Sequence, residues 1–237
     1  MTVEELLARL RQQLLAEGTP EIAAAMQRFF KEPVDSYGVK SPRIRALARE
    51  AYHEIKHWAP AGRNRFSTEL FKSGKSEEGA LAIYVYDRFS RQCGACEMKL
   101  FERWMNRYVT NWAHCDGVCA WLVAASIRND PRLIPQLHPW TQSANRWMRR
   151  GAAVALVRSA RRGEHTASIL KIAGILLRDP DEMVQKGVGW LLKETYSPKP
   201  AQLMRFLKTR TKGAPRLVLR LAAEKMTARD RGVILGI

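Results

Sequence analysis

Apolar residues recur at helical spacing along nearly the whole chain, and signals for helix starts and stops separate the segments. Thr2 and Glu5 form a capping-box pattern that precedes four leucines at helical spacing. Ser41-Pro42 is typical of a helix start, because serine caps a helix and proline fits its first turn. The strict alternation and hairpin signals of β-strands are missing. The pattern therefore predicts an all-α protein.

A weak internal repeat narrows the architecture. Residues 149–156 align with residues 185–192 at an offset of 36, and each segment lies in a predicted helix that a turn and a second helix follow. This period is typical of HEAT or armadillo repeats, which run to about 40 residues. Stacked helix pairs form a superhelical solenoid with a concave groove. We therefore expect one HEAT-like (ARM-type) domain over residues 1–237, with Gly151 and Gly187 where helices approach closely; an irregular helical bundle is the alternative.

The charge of the chain is strongly basic and unevenly distributed. The formal net charge is +17, with 18 basic and 14 acidic residues in 1–110 against 22 and 9 in 111–237. Such a field attracts polyanions and speeds their capture. The alternative is a solvated basic surface, as in some ribosome-associated proteins.

No stretch approaches the roughly 18 apolar residues that cross a bilayer. Glu4 and Glu5 stand where a signal peptide carries bases. We therefore expect no membrane partner and a cytoplasmic location, which in a bacterium means association with the nucleoid.

Two long segments of the basic half contain no acid. Residues 145–162 hold six arginines, and residues 199–220 hold seven bases. Arginine binds phosphate through two parallel hydrogen bonds, and each neutralised phosphate releases counterion. In a repeat protein both segments would line one wall of the groove, which predicts a concave basic surface for nucleic acid; a solvated helix face is the alternative. The candidate DNA-binding residues are Arg146, Arg149, Arg150, Arg158, Lys186 and Lys193.

The tryptophans divide into two groups. Four lie among apolar neighbours and are predicted to pack the core: Trp104, Trp121, Trp140 and Trp147. Trp112 lies at a predicted helix boundary four residues before Asp116, and Trp190 lies in the second repeat segment. An exposed indole can face a cationic ligand with a gain of roughly 0.5–2 kcal/mol. Core packing for the two indoles, and a helix N-cap or an ion pair for Asp116, are the alternatives.

The four cysteines raise the question of a zinc site. Cys93 and Cys96 form one pair and Cys115 and Cys119 a second. Both pairs lie in predicted helices rather than in glycine-rich knuckles, so we expect buried or free thiols and no metal.

Four segments together resemble a known family. Tyr37–Arg45 is similar to the Gly-x-x-Ser/Thr-Pro-x-x-Arg signature of the AlkD-like DNA alkylation repair proteins, and Asn111–Asp116 resembles their Trp-x-x-x-Asp motif. Trp147–Ala153 resembles the helix with their phosphate-contacting arginine, here Arg150. Val184–Glu194 is similar to the helix with their second active-site tryptophan, here Trp190. The resemblance covers about residues 5–225.

The resemblance implies a HEAT-like fold that excises N3- and N7-alkylated purines from double-stranded DNA, with no cofactor. Trp112, Asp116 and Trp190 would form the catalytic cluster, and Arg150 would bind backbone phosphate. No lysine nucleophile is implied, so we expect no lyase activity. The family is reported to act while the damaged base remains stacked, so no deep base pocket is expected.

Asn111 and His114 depart from the family pattern. We expect His114 to be a surface histidine, with a second polar group at the site as the alternative. Three hypotheses follow: a monomeric alkylpurine DNA glycosylase, a non-catalytic HEAT-repeat protein that binds nucleic acid, and a scaffold that binds acidic peptides. The glycosylase hypothesis is favoured because the chain retains all four family residues, namely Trp112, Asp116, Arg150 and Trp190.

Overall fold

The computed structural model describes all 237 residues and is α-helical throughout, with no β-strand, which confirms the predicted fold class. No helix is both long enough and apolar enough to cross a membrane. The helices are α1 (Val3–Glu17), α2 (Pro20–Gln27), α3 (Ser41–Ile55), α4 (Pro60–Lys72), α5 (Ser76–Asp87), α6 (Ala95–Arg107), α7 (Trp112–Gly117), α8 (Ala124–Asn129), α9 (Leu137–Trp140), α10 (Arg146–Val154), α11 (Val157–Arg161), α12 (Thr166–Leu176), α13 (Glu182–Tyr196), α14 (Pro200–Lys208), α15 (Arg216–Ala222) and α16 (Ala228–Leu235).

Three short 3₁₀ turns and one π-helical stretch complete the secondary structure. The 3₁₀ turns are Ser90–Gln92, Pro131–Gln136 and Ala223–Lys225, and the π-helical stretch is Val118–Val123. The chain divides into two compact units, Met1–Val118 and Cys119–Ile237.

In the first unit α5 is the central helix, packed against α3, α4 and α7. The capping box predicted at Thr2 is present, because the Thr2 hydroxyl accepts from Glu5 N and the Glu5 carboxylate accepts from Thr2 N. The apolar series of α1 and α3 is buried as the spacing predicts. Trp104 and Phe71 meet in the core of this unit with ring centroids 4.9 Å apart.

In the second unit α13 is the central helix, packed against α10, α11, α12 and α15. The 36-residue offset that aligns two sequence segments also relates the starts of α10 and α13. Asn145 and Asp181 are the N-caps, and each side chain accepts a hydrogen bond from the residue two positions on. Gly187 lies at the α10–α13 contact, where an added Cβ would meet Arg150 Cγ at 3.1 Å. The predicted close approach at Gly187 is therefore confirmed.

The sequence spacing predicts a single helix over residues 146–161, but the basic segment after Asn145 forms two helices. Helix α10 ends at Val154 and α11 begins at Val157. At Leu156 the backbone N–H bonds to the carbonyl three residues back, at 3.2 Å, which tightens the chain and starts a new helical segment. The six arginines of this segment are therefore divided between two helices and the turn that follows the second.

Candidate active site

Helix α7 begins at Trp112, so the predicted helix boundary at this residue is confirmed. Asn111 is the N-cap, and its Oδ1 accepts a hydrogen bond from the backbone N–H of His114 at 2.9 Å. Asparagine suits this position because its short side chain reaches the free N–H groups of the first turn. The residue that departs from the family motif therefore starts the helix that carries the motif.

The Trp112 indole is partly exposed and is held by the segment after α2. Its Nε1 donates a hydrogen bond to the Phe29 carbonyl oxygen at 3.1 Å, and Phe30 stacks on it with centroids 5.4 Å apart and planes at 23°. The Phe29 side chain is 74 % exposed. This aromatic cluster is not recognisable in the sequence, because 83 residues separate Phe29 from Trp112.

Asp116 lies one helical turn after Trp112 and is also partly exposed. Residues four apart on a helix are neighbours on its surface, so the carboxylate and the indole share one face of α7. The N-cap alternative for Asp116 is wrong, because Asn111 caps this helix. Two residues after Asp116 the chain enters the π-helical stretch, a feature that is frequent at functional sites.

His114 is buried, so the expectation of a surface histidine is wrong. Its Nε2 lies 2.9 Å from the Ser76 carbonyl oxygen, and its Nδ1 lies 3.3 Å from Asn111 Nδ2. Burial lowers the pKa of His114, and this effect outweighs the opposing influence of the Ser76 carbonyl and the Glu77 carboxylate. The ring is therefore neutral near pH 7.

Glu77 is a fully buried carboxylate that organises the loop before α3. Its oxygens accept hydrogen bonds from the Ser36 hydroxyl at 2.7 Å and from the backbone N–H groups of Tyr37, Gly38 and Val39 at 3.0, 2.9 and 3.1 Å. Gly38 has φ +81°, and an added Cβ would meet a carbonyl oxygen at 1.9 Å. The glycine of the N-terminal signature therefore permits a loop that wraps a buried carboxylate.

Glu78 is fully buried beside Glu77 and has its own partners. Arg11 donates from Nε and Nη2 to its oxygens at 3.1 and 3.0 Å, and the Tyr37 hydroxyl donates to Oε1 at 2.7 Å. Burial and the bond to Glu78 raise the pKa of Tyr37. Neither glutamate is recognisable in the sequence as an anchor, because their position at the start of α5 is that of ordinary first-turn acids.

In the second unit Trp190 and Arg150 lie on neighbouring helices. Trp190 is partly exposed on α13, and no group of the protein accepts a hydrogen bond from its indole. Arg150 on α10 is only 6 % exposed, and its Nη1 donates to the Met183 carbonyl oxygen at 2.5 Å. Its phosphate contact remains a prediction, and its visible contact joins α10 to α13.

Arg149 and Arg146 are engaged by acids before or at the start of α13. Arg149 donates to Asp179 at 2.7 Å and to the Ser143 carbonyl at 2.9 Å, and the side chains of Arg149 and Asp179 are 17 and 6 % exposed. Arg146 lies 3.5 Å from the Asp181 carboxylate and stacks over the Trp147 ring at 4.7 Å. Arg149 therefore has a structural role in addition to the predicted one.

The other three candidate DNA-binding residues are partly exposed. Lys186 pairs with Glu182 at 2.8 Å and Lys193 with Glu224 at 2.8 Å. Arg158 has neither a hydrogen-bond nor an ion-pair partner in the protein. Of the six candidate bases, Arg158 is therefore the one whose guanidinium has no ion pair or hydrogen bond within the protein to give up before it binds an anion.

Three of the four tryptophans predicted for the core are buried, namely Trp104, Trp140 and Trp147, whereas Trp121 is partly exposed. All four cysteines are free thiols, and Cys96 is exposed. No group of three or more possible metal ligands occurs.

The fold and these residues define the class: an all-α protein with an indole and a carboxylate on one short helix and a strongly basic C-terminal half. The chain belongs to the DNA alkylation repair enzyme family, whose model matches residues 10–226. Its fold is also similar to a solved structure described as a predicted DNA alkylation repair enzyme from Enterococcus faecalis, with a TM-score of 0.81, 16 % identity, and 90 % of this chain and 98 % of that chain covered. None of the curated proteins matches the chain. Family membership supports a role in the repair of alkylated DNA.

Proposed function

We propose that the protein is a DNA glycosylase that hydrolyses the N-glycosidic bond of cationic N3- and N7-alkylated purines in double-stranded DNA. The observation that carries the proposal is the pair formed by Trp112 and Asp116. Both side chains are partly exposed one turn apart on α7, and Phe29 and Phe30 hold the indole in place. An acid beside an immobilised indole suits a substrate that carries positive charge.

The chemistry follows from the charge on the lesion. When the bond between C1′ and the purine nitrogen breaks, its electron pair neutralises the cationic base, which leaves without protonation. Positive charge then develops on the deoxyribose, where the Asp116 carboxylate stabilises it and orients a water molecule. Water adds to C1′ and loses a proton, which produces an abasic site.

Trp190 and Arg150 complete the proposal from the second unit, on the strength of the segments that resemble the family. Trp190 would present an indole face to the same sugar, and Arg150 would bind a backbone phosphate. A concave basic groove formed by the helical repeats would hold the duplex, and the excess of bases over acids after residue 110 supports this assignment. No lysine nucleophile takes part, so the abasic strand stays intact.

The test is base release from a duplex that contains one 7-methylguanine. Wild type should release the base, and the strand should break only after alkali. Asp116→Asn should reduce the release rate at least about a hundredfold, because it removes the fixed negative charge. Glu54→Gln is a matched control, since Glu54 is an exposed carboxylate of the same unit that pairs with Arg9. Wild type that binds DNA but releases no base would favour the non-catalytic alternative.

A further inference from the structure

Helix α7 has only six residues of regular α-helical hydrogen bonding before the chain continues directly into the π-helical stretch at Val118. The change in hydrogen bonding two residues after Asp116 leaves the first turns of this helix dependent on contacts with neighbouring helices for their position. The contacts with α5 supply this support, and they include Ser76, Gly79 and Ile83 of α5. Their spacing places them on one side of α5.

The buried His114 ring is the polar part of this contact. A carbonyl oxygen can only accept, so the ring nitrogen that faces Ser76, Nε2, carries the proton. Nδ1 is therefore an acceptor and faces the Asn111 amide nitrogen. The orientation of that amide is determined by the cap, because Asn111 Oδ1 accepts from His114 N at 2.9 Å.

Two glycines allow α7 and α5 to approach closely. Gly79 of α5 lies against His114, and Gly117 of α7, the residue after Asp116, lies against Ile83. A Cβ on Gly79 would meet the His114 ring at 2.4 Å, so the ring lies directly against the α5 backbone. A Cβ on Gly117 would meet Ile83 Cδ1 at 2.8 Å. Phe71 closes the His114 pocket edge-on, with centroids 5.9 Å apart and planes at 86°. The ring therefore has one position and one protonation state in which all its contacts are satisfied.

We propose that His114 is a positioning residue, which links the start of α5 to the cap of α7 and thereby holds Trp112 and Asp116 in place for base release. The inference rests on the proposed function and deepens it. His114 does not touch the substrate, because it is buried. The titratable group of α5 that faces it is the Glu77 carboxylate, which the loop before α3 engages through its N–H groups.

The experiment compares His114→Gln with His114→Leu. Glutamine keeps a donor for Ser76 and an acceptor for Asn111, whereas leucine fills the space with neither. His114→Leu should lower the single-turnover rate of 7-methylguanine release by about tenfold or more, since small misplacements of reacting groups are costly. Its Kd for undamaged duplex should stay within about twofold, because phosphate contacts dominate affinity. His114→Gln should recover most of the rate.

Thr68→Val is the matched control for loss of a buried hydrogen bond in the same unit. The Thr68 hydroxyl accepts from Trp104 Nε1 at 3.0 Å and lies outside the contact between α5 and α7. It should lower thermal stability without lowering the release rate. If His114→Leu fails to fold, Gly79→Ala serves instead, because it keeps the histidine but displaces the ring.

The outcomes separate the two proposals. A wild type without glycosylase activity contradicts the proposed function. In that case nitrogen NMR of His114 and amide hydrogen exchange of α7 in His114→Leu still test whether His114 links the start of α5 to the cap of α7. The expected ring has its proton on Nε2 and an unprotonated Nδ1. An active wild type with an equally active leucine variant, or a glutamine variant as slow as the leucine variant, would overturn the positioning role.

Discussion

The Trp112 indole Nε1 donates a hydrogen bond to the carbonyl oxygen of Phe29, 3.1 Å away. The bond uses the main chain of Phe29, so the exposed Phe29 side chain is not needed for it. Phe30 adds the second contact by stacking on the indole. Two consecutive residues after α2 therefore orient an aromatic ring at the start of α7, and this arrangement can be tested by changing each in turn.

Phe30→Ala should loosen Trp112. We expect the free energy of unfolding to fall by about 1–2 kcal/mol, since the ring is partly exposed and makes one stacked contact. The rate of methylpurine release should fall about tenfold as the indole loses its orientation. Phe29→Ala is the control for stability and should change it by less than about 0.5 kcal/mol. Equal losses of stability in the two variants would contradict the proposal that the Phe30 ring, and not the Phe29 side chain, holds Trp112.

Substitution of Arg158 should change DNA binding with little effect on stability, whereas substitution of Arg149 should reduce stability. Arg158→Ala should reduce the slope of log K against log salt by about 0.9, the value for one phosphate contact, with little change in stability. Arg149→Ala should cost about 2–4 kcal/mol of stability, because it removes the ion-pair partner of the buried Asp179 carboxylate, which retains the hydrogen bond from the Asp181 backbone N–H. Salt titrations of duplex binding and thermal unfolding measure both effects. An unchanged salt slope for Arg158→Ala would remove this residue from the DNA-binding surface.

Glu77→Gln should destabilise the first unit. A glutamine amide offers one acceptor oxygen where the carboxylate offers two, and its NH₂ group would face backbone donors. We expect a loss of about 2–4 kcal/mol, measured by urea unfolding. Glu69→Gln is the control, since Glu69 forms an exposed pair with Lys72 and should contribute at most about 1 kcal/mol.

Glu194 should make stability depend on pH in the acid range. Burial opposes its ionisation, but hydrogen bonds from Lys225 and Arg161 outweigh burial, so the pKa of Glu194 is lowered from its ordinary 4.5. A lowered folded-state pKa contributes stability above pH 4.5, and this contribution is lost as the pH falls through the folded-state pKa. The stability difference between wild type and Glu194→Gln should therefore be largest near neutral pH and shrink below pH 4.5. A difference that is constant with pH would contradict this prediction.

The proposed roles of Trp112 and Trp190 at one sugar predict non-additive kinetics. Each single substitution by alanine should slow base release, and the double variant should be little slower than the worse single variant. Single-turnover assays of the four proteins form the cycle. Additive losses would indicate that the two indoles act independently.

Several features were predictable because they depend on local sequence. Helix periodicity, the capping box at Thr2 and the helix boundary at Trp112 follow from short-range patterns, and all three are confirmed. The 36-residue offset also predicted the close approach at Gly187, because a repeat places equivalent residues at equivalent contacts. The resemblance of four motifs identified the family.

The buried polar anchors were not predictable from spacing. The residue type of His114 did not indicate that it is buried, and only the approach of Gly79 and the Ser76 carbonyl creates a buried polar position for its ring. Glu77 and Glu78 have the pattern of ordinary first-turn acids until the folded chain brings the loop before α3 and Arg11 against them.

The sequence alone determined the all-α class, the basic charge of the C-terminal half and the family, because capping, periodicity and composition act over a few residues or over the whole chain. The break between α10 and α11 was not determined in this way. Tertiary structure alone decided which polar groups are buried and which bases remain available to an anion. The reason is that burial and hydrogen bonding arise between residues tens of positions apart, as for Trp112 and Phe29 or Arg149 and Asp179. The residues next to each of these side chains in the sequence do not indicate which distant residue it contacts.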